Sequence, residues 1–96
     1  MSSRSYEKQM GITHPEFFRL ISIALGSDEY ETHADGVSWT HGALSGRVTL
    51  GPEGKRRIAL LAVPSTPVTI ELDGYEDAAA MAFIKRFDRA YQRGGG

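Results

Sequence analysis

Cysteine is absent from the 96 residues. That excludes disulfides, thiolate metal sites, cysteine nucleophiles and iron–sulfur ligation. Long apolar runs are also missing. The longest, Ile58 to Val63, is far too short to span a bilayer. The opening stretch MSSRSYEKQMGI lacks the apolar core of a secretory signal. Neither charge sign dominates, since 11 Lys and Arg face 12 Asp and Glu for a net −1. No bulk electrostatic pull toward nucleic acid or a membrane surface follows. The expectation is a cytoplasmic protein of one domain, with no membrane partner and nucleic acid disfavoured.

The chemistry-bearing motifs are missing too. There is no G-x-S-x-G elbow, no H-E-x-x-H and no complete P-loop. GPEGKR, residues 51–56, has the glycines and the lysine of a phosphate loop. Its spacing is wrong, and it lies between strand-like runs instead of before a helix, so it reads as a turn. The paired carboxylates Asp28/Glu29 and Glu76/Asp77 flank helix ends, where acids serve capping and solubility. No catalytic residue, metal site or cofactor is assigned, and the chain reads as a non-enzyme.

What is present is a pattern of elements. THPE, residues 13–16, has the capping-box spacing of Thr13 and Glu16. Phe17, Leu20, Ile21, Ala24 and Leu25 follow on one helical face, and Gly26 suits a left-handed stop. Asp35-Gly36 predicts a tight hairpin within residues 30–41. With that pair at its centre, His33 faces Ser38 and Thr32 faces Trp39. Tyr30, Thr32, Val37, Trp39 and His41 then share the inner face. Residues 46–50, 57–63 and 68–72 read as a three-strand antiparallel meander. The continuous apolar run 57–63 is its central strand, and PSTP (64–67) is its break.

A last helix runs from about Glu76 to Gln92. Its stripe is Ala80, Phe83, Ile84, Phe87, Ala90 and Tyr91, and Gly94 serves as a cap. The fold class is α+β, a single antiparallel sheet of 3–5 strands in the order α-β-β-β-β-β-α. The N-terminal and C-terminal helices pack on one face of it. Residues 1–12 are expected to be flexible, 13–93 to form the domain, and 94–96 to be a flexible glycine tail. The second sheet face would carry Arg47, Thr49, Thr69 and Glu71, open to water or a partner.

Two candidate sites emerge. Tyr30, Trp39 and His41 place aromatics beside a polar ring, the makings of a small-ligand pocket. The third histidine position that matters for a metal, His33, falls on the opposite sheet face, and His14 starts the first helix. The three histidines are therefore not expected to share an ion.

The second candidate is the tail Arg93-Gly94-Gly95-Gly96. It resembles the ends of ubiquitin and of the sulfur carrier proteins of thiamine and molybdopterin synthesis. That resemblance implies activation of the terminal carboxylate, with Gly95 and Gly96 as the reactive end. It covers only the last residues, and the element order differs from the β-grasp order of those carriers. The leading functional expectation is a protein-interaction module, with an unidentified partner or self-association. It rests on the open sheet face and on the segregation of an acidic segment (Asp28, Glu29, Glu31, Asp35) from the basic last helix (Lys85, Arg86, Arg89, Arg93).

Overall fold

A computed structural model describes residues 3–95. Strands β1 (Ser3–Met10), β2 (Glu31–His33), β3 (Gly36–His41), β4 (Leu44–Leu50), β5 (Gly54–Ile58) and β6 (Leu61–Asp73) are joined by helices α1 (His14–Leu25) and α2 (Asp77–Gly95). The sheet is antiparallel, in the order β1-β6-β4-β3-β2, and β5 pairs with the outer part of β6. The α+β class and the order from α1 onward stand as the sequence predicts.

The first helix forms where its local code says. Thr13 caps it with both halves of a capping box, and Gly26 closes it at φ 70°. Phe17, Ile21 and Ala24 are its buried residues. In α2, Ala80, Phe83, Phe87, Ala90 and Tyr91 are buried. Phe17 stacks on Tyr91 at 5.8 Å between ring centres, and the Arg86 guanidinium donates to the Leu25 carbonyl at 3.5 Å. The start of α1 thus meets the end of α2, so the helices run in opposite directions. Arg86 also sets a cation at the negative end of the α1 dipole.

Register divides the sheet into two unlike faces. Tyr6, Ile70, Val48 and Val37 form one row across four strands, and Leu72, Gly46 and Trp39 form the next. These rows face the helices, and Val37, Trp39, Val48, Leu50, Val68, Ile70 and Leu72 are all buried. Trp39 lies directly over Gly46, where a Cβ would collide with the indole. The other face carries Ser5, Glu71, Arg47 and Ser38 in one row and Glu7, Thr69 and Thr49 in the next. It is the polar open face that the alternation predicts.

Five expectations need correction. Residues 1–12 are not a flexible segment, since Ser3–Met10 is an edge strand along β6. Its inward residues Arg4 and Lys8 cover the core with their stems and reach Asp77 and Asp88 with their charges. Hairpin 30–41 turns at Ala34-Asp35, so Glu31 faces Ser38 and Thr32 faces Val37, two residues from the expected register. Gly36 is not the turn's flexible residue. It lies in β3 beneath the Val48 carbonyl, where any Cβ would clash. A slip of two keeps every side chain on its expected face.

Next, the run 57–63 is no central strand. It turns at Ala59-Leu60, and β4 pairs directly with β6. PSTP does not break β6 either. The Pro67 carbonyl accepts from Gly51 N at 2.8 Å, so its missing N–H faces the place where β4 has run out. Finally, α2 continues past the Gly94 cap position to Gly95.

The β5–β6 hairpin is an arm beyond the body. Residues 52–62 are all exposed. The molecule measures 47 × 24 × 20 Å. Ala59 takes φ 55° at the arm's turn, a left-handed value that a non-glycine residue adopts at a cost of roughly 1–2 kcal/mol.

Candidate functional site

The structure brings Tyr30, Trp39 and His41 to one cavity of about 480 Å³ at the β2–β3 edge, with Glu29 and Glu31 on its rim. Their roles differ. Trp39 is committed to the core: its indole N–H donates to the Tyr75 hydroxyl at 3.0 Å, and its ring stacks on Phe83 at 5.4 Å. Tyr30 is half-buried against the same core. His41 is exposed. Its Nε2 lies 2.8 Å from the Glu29 carbonyl oxygen and 4.0 Å from the Glu29 carboxylate. The cavity therefore presents one partly accessible aromatic, Tyr30, beside two carboxylates. The negative charge is local, because residues 28–35 hold four carboxylates and no Lys or Arg.

The other histidines are held apart. His14 Nε2 meets the Gly51 carbonyl oxygen at 2.8 Å, and its backbone N–H donates to Glu53 at 2.9 Å. Both bonds fasten the 51–53 connection to the start of α1. His33 Nε2 lies 2.7 Å from Ser38 Oγ. A serine beside a histidine is the beginning of a nucleophile–base pair, which needs a third group to orient the base. Among the described residues the other ring nitrogen of His33 has no hydrogen-bond partner, and no three His, Asp or Glu groups converge on a metal position. Of the two tail residues, Gly95 falls within α2, and Gly96 lies outside the described residues.

The surface that sequence reasoning missed is the arm. Ile58, Leu60 and Leu61 are 52, 97 and 67 % exposed at its tip. Behind them on β5 stand Lys55, Arg56 and Arg57, all exposed. None of the three forms an ion pair among the described residues. Three adjacent cations running straight into the apolar stretch were the available signal, because a strand buried on both faces rarely opens on such a triplet.

Among the described residues no helix is long and apolar enough to cross a membrane. Comparison with family models, with curated proteins and with solved structures returns no match, so the functional reading rests on this geometry.

Proposed function

We propose that this chain is a non-enzymatic protein-interaction module and that the arm is the element it presents. One observation carries the reading. The core closes with Val37, Val48, Ile70, Phe17 and Phe87 fully buried, yet Ile58, Leu60 and Leu61 stay in water at the end of an ordered hairpin. Clustered large apolar side chains on a projecting element mark an interaction site. Burying each against a partner contributes on the order of 1.5–3 kcal/mol. The adjoining cations add orientation and encounter rate more than affinity.

The test is a photo-crosslinking residue at position 60, activated in cells of the native host. A discrete protein adduct that disappears when Ile58 and Leu61 become serine is the expected result. Exposure of the crosslinker to water alone, with no protein adduct, overturns the proposal.

A further inference from the structure

Resting on that reading, we infer that the arm's partner is a second copy of this chain: the arm of one molecule seats in the acidic-rimmed cavity of the next. The two surfaces are complementary in charge and in character. The arm offers Lys55, Arg56 and Arg57 behind an apolar tip. The cavity offers Glu29 and Glu31 around the half-buried Tyr30. Glu31 is exposed opposite Ser38 and has no ion-pair partner among the described residues. Unpaired charge of each sign thus stands on a separate surface of one nearly neutral molecule.

The sheet prevents the contact from forming within one molecule. The arm is the extension of β6 beyond Thr66. In β4 and β3 the end nearest the arm is Leu50 and Gly36, whereas His41 and Leu44 lie at the opposite end. The cavity sits toward that opposite end and two strands away from β6, at Ser38 to His41. The arm and β6 are one continuous strand, so the arm cannot fold back onto its own cavity. The arm's five-residue strand reaches roughly 16 Å, long enough to enter a neighbour's cavity with the two bodies still apart. Donor and acceptor surfaces differ, so two copies exchange arms about a two-fold or the contact runs head-to-tail into a larger ring or a chain.

The experiment uses two full-length variants. Arg56→Glu/Arg57→Glu reverses the arm and leaves the cavity intact. Glu29→Lys/Glu31→Lys reverses the rim and leaves the arm intact. All four positions are exposed, and a thermal melt of each variant is run first to check that it folds. Sedimentation velocity is then run on the wild type, on each variant alone and on their mixture, at high concentration and low salt. The wild type is expected at twice the 10.5 kDa monomer mass or more, each variant alone at the monomer mass, and the mixture restored to the wild-type value. Added salt should dissociate both assemblies.

A monomeric wild type, or a mixture no heavier than its components, overturns the inference. Wild-type chain that stays monomeric but sediments with anionic phospholipid vesicles overturns it in favour of a membrane surface. If association fails while the crosslinker at position 60 still captures a different protein, only self-association is lost and the interaction module stands.

Discussion

The hydroxyl of Tyr91 donates to the Phe17 carbonyl at 2.8 Å, inside the seam where α1 meets α2. Burial, with the neighbouring Tyr30 adding to it, pushes that hydroxyl well above the ordinary phenol range. The consequence for stability has a definite sign. In the unfolded chain Tyr91 ionises near its ordinary value of about 10, whereas in the folded chain it keeps its proton. Its contribution is therefore complete below pH 10 and is lost as pH rises above it, at a limiting slope of about 1.4 kcal/mol per pH unit. Urea denaturation from pH 8 to 11 should show this decline. Tyr91→Phe should flatten it. At pH 8 the variant should be less stable by about 0.5–1.5 kcal/mol, because the second hydrogen bond to the Phe17 carbonyl, which the helix ladder already engages, is lost. An unchanged alkaline slope in the variant would exclude Tyr91 as its source. Thr66 shows the same economy elsewhere: fully buried, it donates to the Ile12 carbonyl at 2.7 Å and ties the exit of β1 to β6.

Among the elements, the arm and α1 stand at opposite ends of what local sequence can specify. The arm's tip is outside the core, so Leu60→Ser should change the unfolding free energy by no more than about 0.5 kcal/mol. A larger loss, measured by the same urea titration, would mean that the tip packs on the body. α1 was legible in full because its signals are local: a capping box, a stripe at helical spacing and a glycine stop. The faces of the 30–41 hairpin were legible for a similar reason, since side-chain alternation survives a register error of two. Its turn was not legible, because Gly36 serves a close approach to Val48 that only the third dimension reveals. The run 57–63 was misread because periodicity cannot separate a strand buried on both faces from the tip of a hairpin. β1 was missed because its core-facing positions alternate Arg4, Tyr6, Lys8 and Met10, where long polar stems replace aliphatic side chains. Of the candidate site, the grouping of Tyr30, Trp39 and His41 followed from that alternation. The burial of Trp39 against Tyr75 and Phe83 did not, since both partners come from far along the chain.

Across the whole molecule, β6 organises the fold. It pairs with β1 on one side and β4 on the other, and it extends outward as half of the arm. Removing residues 3–10 should leave β6 as a bare edge beside an uncovered core and delete the ion pairs from Arg4 and Lys8. The shortened chain is expected to lose its cooperative thermal transition and to aggregate. A sharp melt in a monomeric shortened chain would show β1 to be dispensable. The partnership of β1 with β6 also sets an order of events during synthesis. Ser3 and Asp73 are 70 residues apart, so β1 leaves the ribosome well before β6, the strand it pairs with. Loop closure over that span makes folding slow for a chain of this size. Until β6 arrives, the nascent protein holds a half-made sheet and an unpaired β1, the state in which a crowded polysome most readily joins the wrong copies together.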